Sequence, residues 1–179
     1  VAIGYKAGET SQEPNTISIG YQAGQSSQNQ YAIAIGSESG QVVQSDYAIS
    51  VGFSSGQNTQ GASAISIGRQ AGQNNQGQYG ISVGEFSGQN NQGDNSVAIG
   101  NTSAQYNQGI SAVAVGNQAG NTNQGDFAVA IGNSTGQSGQ GQNAVAVGRL
   151  AGRFTQGVNA VAIGLQSGNN NQGSSAVAI

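Results

Sequence analysis

The fold is decided by a repeated sixteen-residue unit, seen clearly in residues 112–127, which read AVAVGNQAGNTNQGDF. Every sixteenth residue is β-branched, without insertion or deletion, at Ile3, Ile19, Ile35, Val51, Ile67, Val83, Ile99, Val115, Ile131, Val147, Ile163 and Ile179. A fixed short period is typical of repeat proteins, in which each period builds one structural unit. The sequence therefore predicts about eleven equivalent units and one continuous repeat domain over 1–179.

We number the positions of the repeat from 1 to 16, with Ile3 at position 1. Position 2 is Gly in all eleven repeats, position 6 is Gly in ten, with Ala104 as the exception, and position 11 is Gly from Gly61 onward. Position 10 is always Gln, position 15 is always Ile or Val, and positions 14 and 16 carry only small residues. Because Gly adopts positive φ without steric cost, positions 2, 6 and 11 are predicted to be bends.

Positions 14 to 1 alternate small and β-branched residues, which is typical of a strand with two different faces. Positions 15 and 1 carry the only repeated bulky apolar groups, so we expect them to face the interior and positions 14 and 16 to face away. A second, weaker strand is predicted from position 5 to about position 9, with the small residues at position 5 facing inward.

Stacking equivalent strands is the way for such short strands to become stable, because one coil alone buries too little. Each position then becomes a ladder whose successive residues lie about 4.8 Å apart. The sequence thus predicts an all-β fold, a parallel β-solenoid (β-roll) with one 16-residue repeat per coil and about eleven coils.

The Gln at position 10 requires a structural role, since it recurs in every repeat. In a stack, its amides either bond one another along the axis, as in cross-β ladders, or turn inward and satisfy backbone groups at a bend. Looser ladders are predicted at position 7, from Gln25 to Gln105, and at position 9, from Asn75 to Asn123.

The composition gives little support for a catalytic or metal-binding function. The chain has no Cys, His, Met or Trp, only 6% charged residues and a net charge of −3. Catalytic and metal sites usually draw on His, Cys or clustered acids, so we expect no enzyme activity, no metal and no cofactor. Nucleic-acid binding is not expected with four basic residues, and no apolar run approaches the roughly 20 residues of a membrane span.

The strand motif, as in Ser96-Val97-Ala98-Ile99-Gly100 and Ala160-Val161-Ala162-Ile163-Gly164, resembles the YadA-like (Hep/Hag) head repeat of trimeric autotransporter adhesins. Related repeats occur in viral and phage fibres. The resemblance covers the whole chain and implies a left-handed parallel β-roll in three copies that projects from a cell or virion surface. It also implies contact with a host surface, a matrix protein or a glycan. We therefore interpret the chain as an extracellular segment of a longer fibre, without its capping ends.

Two sets of residues are candidate interaction surfaces. The uniformly small face suggests close packing against another copy, with Ala112, Ala114, Ala128, Ala130, Ala144 and Ala146 as the oligomer face. A partner or ligand surface is predicted from apolar side chains beside the strand and in the C-terminal turns, namely Tyr5, Tyr21, Phe53, Tyr31, Tyr47, Tyr79, Phe127, Leu150, Phe154 and Leu165. Aromatic rings stack on one another or on sugar rings, and both interpretations stay open.

Three functions follow from the sequence. The first is a structural and adhesive surface fibre that mediates attachment, and the second is a viral or phage fibre with a purely structural role. The third, an ice-binding β-solenoid, would use the small Ala/Ser face as a flat exposed surface.

Overall fold

The computed structural model describes residues 1–179, in which 22 short strands occur and no helix. The strands are β1 (Ala2–Ile3), β2 (Thr10–Gln12), β3 (Ile17–Ile19), β4 (Ser26–Gln28), β5 (Ile33–Ile35), β6 (Ile49–Val51), β7 (Asn58–Gln60), β8 (Ile65–Ile67), β9 (Asn74–Gln76), β10 (Ile81–Val83), β11 (Asn90–Gln92), β12 (Val97–Ile99), β13 (Tyr106–Gln108), β14 (Val113–Val115), β15 (Thr122–Gln124), β16 (Val129–Ile131), β17 (Ser138–Gln140), β18 (Val145–Val147), β19 (Phe154–Gln156), β20 (Val161–Ile163), β21 (Asn170–Gln172) and β22 (Val177–Ala178).

Two parallel sheets run along the rod. The strands at positions 15 to 1 form a 12-stranded sheet from β1 to β22, and each residue pairs with the residue sixteen places later, as Val113 does with Val129. The strands at positions 8 to 10 form the opposite sheet in two parts, β2–β4 and an eight-stranded part from β7 to β21. The predicted parallel β-solenoid of about eleven coils is confirmed.

The opposite sheet is interrupted at one coil, where single bridges through Gln44 join its two parts. Position 9 has positive φ wherever it is Ser, Thr or Asn, as in Thr59 (φ 48°) and Asn75 (φ 55°), but Val43 in the interrupted coil does not. Positive φ is rare for an apolar β-branched residue, and the one coil that has Val at this position is the one that lacks the short strand. The stack continues through it.

The second strand lies at positions 8 to 10, and its prediction at positions 5 to 9 was wrong in its bounds. The segment from position 3 to position 6 is a turn instead, because positions 4 and 6 have positive φ, as in Gln118 (φ 55°) and Gly120 (φ 52°). The inward direction of position 5 is confirmed, since residues such as Ala119 and Ser55 are fully buried.

The interior is lined by the small residues, so the prediction of an inward Val/Ile face was wrong. At position 16, Ser66 and Ala114 are 0% exposed, and at position 14, Ala64 and Ala112 are 0% exposed as well. Apart from the two ends of the rod, the bulky residues at position 15 are half-buried, and those at position 1 are half-buried or exposed, for example Ile99 at 39%.

The reason for this inversion is the narrowness of the coil. A Cβ atom added to Gly120 would lie 3.2 Å from the Cβ of Ala114 and 2.7 Å from Gln124 Oε1. The space between the sheets therefore holds methyl and hydroxymethyl groups, one Gln per coil and the side chains of Thr16 and Thr135, but no Val or Ile. Protein interiors are close-packed, and extra carbons in such a core force side chains and backbone out of place.

Close stacking of the coils explains two of the Gly positions in different ways. At position 2, Gly100 has φ 127°, and a Cβ there would lie 2.5 Å from the carbonyl oxygen of Gly116. At position 11, Gly93 has no positive φ, but a Cβ would lie 2.6 Å from the carbonyl carbon of Gly109 in the next coil. At position 11, Gly therefore relieves steric crowding between coils. At position 2, Gly is needed both for its positive φ and to avoid that crowding.

The Gln side chains of position 10 turn into the coil and form a ladder along its axis, so both structural roles expected for them occur together. Nε2 of Gln124 donates to the carbonyl oxygens of Val113, at 2.8 Å, and Ala128, at 3.3 Å. It also donates to Oε1 of Gln140 in the next coil, at 3.1 Å. A buried carbonyl without a donor costs about 1–3 kcal/mol, so these amides hold the two sheets at a fixed separation.

Candidate interaction surfaces

The small residues named as an oligomer face are not on the surface. Side chains of positions 14 and 16 are fully buried inside their own coil, as the 0% exposure of all six shows: Ala112, Ala114, Ala128, Ala130, Ala144 and Ala146. A residue buried within one chain has no area left for contact with a second copy. That prediction was wrong, and the flat Ala/Ser surface on which ice binding rested does not exist.

The outward face of the 12-stranded sheet carries Val and Ile at both of its positions instead. Position 1 alternates strictly between Ile and Val from Ile35 to Ile163. The Ile side chains are the more exposed, with Ile67 and Ile131 at 41%, whereas Val83 and Val115 are half-buried. Twelve strands at about 4.8 Å spacing make this Val/Ile stripe roughly 50 Å long and two side chains wide.

The aromatic residues predicted as a ligand surface are exposed, but they do not form one cluster. Tyr5 stacks on Tyr21 with ring centroids 5.5 Å apart, and Tyr31 stacks on Tyr47 at 5.0 Å. Three further rings stand alone on the surface, namely Phe53, Tyr79 and Phe127, at 48–57% exposure. Positions 3 and 13 lie on opposite sides of the strand, so these rings flank the Val/Ile stripe.

The C-terminal candidates are likewise spread out. Leu165 is 64% exposed and Leu150 is half-buried in the preceding coil. The ring of Phe154 belongs to the second sheet, in β19, and lies under the guanidinium of Arg153, at 4.5 Å from the ring centroid. This cation–π contact gives the Phe154 ring a partner within its own chain.

The charged side chains are mostly paired or capped within the chain. Arg69 forms an ion pair with Glu85 in the next coil, and Lys6 Nζ lies 3.4 Å from Glu9 Oε1. A hydrogen bond from the Gln25 amide, and more weakly the charge of Lys6, hold the pKa of the Glu9 carboxyl below its usual range, against a smaller opposing effect of desolvation.

Two carboxylates act as backbone caps. Oδ1 of Asp94 accepts a hydrogen bond from the backbone N–H of Gln78 at 2.9 Å, and Oδ1 of Asp126 accepts from Ile110 at the same distance. Both donors are at position 12 of the coil before, where the chain turns. The carboxylates therefore satisfy exposed backbone groups at the corner.

The outer amide ladders are confirmed at both predicted positions. At position 7, Gln89 Nε2 donates to Gln73 Oε1 at 3.0 Å. At position 9, Asn91 Nδ2 donates to Asn107 Oδ1 at 3.0 Å. The Asn ladder borders a shallow groove of 440 Å³ that sequence reasoning missed. The sequence carries one signal for this groove: the four consecutive coils that have Asn at position 9, from Asn75 to Asn123, also have Gly at position 11.

Comparison with known proteins adds no relationship: no family model, curated protein or solved structure matches the chain. The resemblance to YadA-like head repeats therefore stays a prediction. The structure contains no helix long and apolar enough to cross a membrane.

Proposed function

We propose that this chain is a rod-like segment of a surface fibre, assembled from parallel copies of itself, that serves in attachment. The observation that carries the proposal is the Val/Ile stripe along the whole length of the 12-stranded sheet. Soluble monomers rarely expose a contiguous apolar patch of more than a few hundred Å², and larger patches mark interaction sites.

The occupant that fits the stripe best is a second copy of the same chain. The stripe has the full length of the rod and a regular spacing, and a parallel copy has the same spacing by construction. Alternation of Ile and Val at position 1 places large and small side chains on successive coils. Copies in register would then meet in alternating Ile and Val layers.

Three copies accord with both the resemblance and the shape of the stripe. Because the stripe is only two side chains wide, positions 15 and 1 of one copy each reach a different neighbour when three copies surround a common axis. A closed cyclic assembly also leaves no apolar stripe exposed, which favours a rod over a sheet-like aggregate.

Cysteine cross-linking tests this arrangement directly, because the chain has no Cys of its own. In a parallel, in-register assembly of three copies, Ile99 lies beside Val97 of a neighbour. Ile99→Cys and Val97→Cys chains refolded together should form an intermolecular disulfide under mild oxidation, whereas Thr155→Cys, on the exposed face of β19, should not.

Charge on the stripe tests the same assembly by mass. Ile99→Lys with Ile131→Lys should convert the assembly to monomers in light scattering, since unpaired ammonium groups would be buried between copies. Thr155→Lys, placed on the other sheet, should leave the mass unchanged. A wild-type chain that is monomeric at all concentrations would overturn the proposal.

A further inference from the structure

The groove on the second sheet has an unusual lining. Side chains of Asn91, Asn107 and Asn123 form one side, and the Gln108–Gly109 and Gln124–Gly125 segments complete it. Neither an apolar nor a charged side chain lines the groove. Its floor is open because position 11 is Gly in these coils, where a Cβ at Gly109 or Gly125 would lie 2.5 Å or 2.7 Å from backbone atoms of the next coil.

The Asn side chains form a polarised ladder. Asn75 Nδ2 donates to Asn91 Oδ1 at 3.1 Å, Asn91 donates to Asn107 at 3.0 Å, and Asn107 donates to Asn123 at 3.0 Å. A primary amide has two N–H donors and two acceptor lone pairs. Each inner amide of the ladder therefore keeps one N–H and one lone pair for a ligand, repeated about every 4.8 Å.

We propose that this groove binds an extended, neutral, hydroxyl-rich glycan that lies along the rod axis with about one sugar ring per coil. Hydroxyl groups both donate and accept, so they match a row of sites that each offer one donor and one acceptor. The proposal rests on the adhesive role proposed above and names the ligand class for it.

The other extended ligands fit the groove less well. A peptide strand recognises a sheet through a free edge, but β11, β13 and β15 are each paired on both sides. An acidic glycan or a nucleic acid needs basic groups, and none lines the groove. Neutral hydroxyls need only the amides and the open floor that the groove supplies.

The chain itself supplies a safe replacement for the test. Position 9 is Gly in one coil, at Gly139 (φ 72°), and the three groove Asn residues have φ of 54–56°. The triple variant Asn91→Gly, Asn107→Gly and Asn123→Gly therefore removes the amides at positions where the backbone accepts Gly. The control variant, Asn143→Gly with Asn159→Gly, removes an exposed amide pair at position 13, where Nδ2 donates to Oδ1 at 3.0 Å.

Titration with cellohexaose, a neutral β-linked glucose hexamer, is the experiment. In ¹⁵N NMR spectra of wild type, the side-chain amide signals of Asn91, Asn107 and Asn123 should shift. In calorimetry, the triple variant should bind about tenfold more weakly or worse, and the control variant should bind like wild type.

Each of the following results would overturn the glycan proposal: no shift and no heat at millimolar cellohexaose, equal affinity of the triple variant and wild type, or tighter binding of hexagalacturonate, an acidic hexamer. NMR mapping on wild type locates the bound glycan even if the triple variant is poorly folded, and shifts confined to residues outside the groove would also contradict the proposal. If the chain assembles but does not bind the glycan, only the glycan proposal is refuted. If the chain binds the glycan as a monomer, only the proposed assembly is refuted.

Discussion

The two halves of the rod build the same coil with different interiors. In the N-terminal half, position 16 is Ser in most coils, at Ser18, Ser50, Ser66 and Ser82, whereas from Ala98 onward it is always Ala. Ser66 Oγ donates to Gln76 Oε1 at 2.6 Å, and that oxygen also accepts from Gln60 at 3.1 Å. In the C-terminal half, Gln140 Oε1 accepts only from Gln124, at 3.1 Å.

The comparison shows that Gln, not the small residue, defines the coil width. Ser and Ala occupy the same space except for one hydroxyl, and Gln Oε1 accepts that hydroxyl where it is present. The Ala-lined half has apolar clusters in return, such as Ala98, Ala104, Ala114, Ala119 and Ala130.

The junction between the halves is a defect in the Gln ladder. Gln108 Oε1 is buried without a hydrogen-bond partner, because Gln92 donates only to backbone carbonyl oxygens and Ala98 has no hydroxyl to offer. Position 6 of the same coil is Ala104 rather than Gly, with φ 43°. In Ser-lined coils a Cβ at position 6 would collide with the Ser hydroxyl, as at Gly72 with Ser66 Oγ, so Ala104 is compatible with Ala98 and not with Ser.

The largest expected effect comes from a charge placed in the Ala-lined interior. Ala130→Asp buries a carboxylate in a fully buried site without a cationic partner, and should lower the free energy of unfolding by about 3–5 kcal/mol. Thr155→Asp, on the exposed face of β19 and away from the Val/Ile stripe, should cost less than about 1 kcal/mol. Urea unfolding followed by circular dichroism measures both, and equal losses would contradict the assigned faces.

How far the sequence predicts the fold can be judged from these same residues. The period, the parallel stacking and the Gln ladder follow from spacing alone, because only in-register stacking gives every sixteenth residue the same environment. The inward face does not follow. Burying Val113 and leaving Ala114 outside is the ordinary expectation from hydrophobicity, and it fails because the space between the sheets has no room for a Val or Ile at every coil.

The candidate surfaces were predictable to the same limited extent. Exposed rings such as Tyr47 were found because aromatic residues are conspicuous in a Gly-rich chain, and their scatter around the coil depends on geometry that spacing does not reveal. The groove beside Asn107 depends on how the Asn amides orient at positive φ and on how closely Gly109 approaches the next coil. Neither is visible in residue types alone.

Removal of one Gln should affect the two halves differently. Gln124→Leu leaves Gln140 Oε1 without a donor, whereas Gln60→Leu leaves Gln76 Oε1 with its bond from Ser66 at 2.6 Å. Each variant should lose at least about 2 kcal/mol from unpaired carbonyl groups. In ¹⁵N NMR spectra, the side-chain amide of Gln140 should shift in the first variant, and that of Gln76 should shift much less in the second. Equal shifts would mean that the Ser hydroxyls do not sustain the ladder.

The junction defect should be repairable only by two changes together. Ala98→Ser alone collides with the Cβ of Ala104 and should not stabilise the chain, while Ala98→Ser with Ala104→Gly should donate a hydroxyl to Gln108 Oε1. We expect a favourable coupling of about 1 kcal/mol in a double-mutant cycle from urea midpoints. Ala130→Ser serves as the control, because Gln140 Oε1 already has a donor. Additive effects of the two changes would contradict the steric link between positions 16 and 6.

The smallest expected effect is a pH dependence of stability that distinguishes the charged exterior from the interior. The buried residues of the interior include no titratable group. The Gln25 hydrogen bond lowers the pKa of Glu9, so its contribution to stability is present above the unfolded pKa and is lost as pH falls through the lower folded pKa. Glu9→Gln keeps an amide pair like that between Gln41 and Gln25, at 3.2 Å. Wild type should therefore be slightly more resistant to urea than Glu9→Gln at pH 7, and the difference should shrink at acidic pH as the carboxyl becomes protonated. The effect of Gln124→Leu, in contrast, should be the same at both pH values, and a pH-dependent loss there would place a titrating group inside the coil.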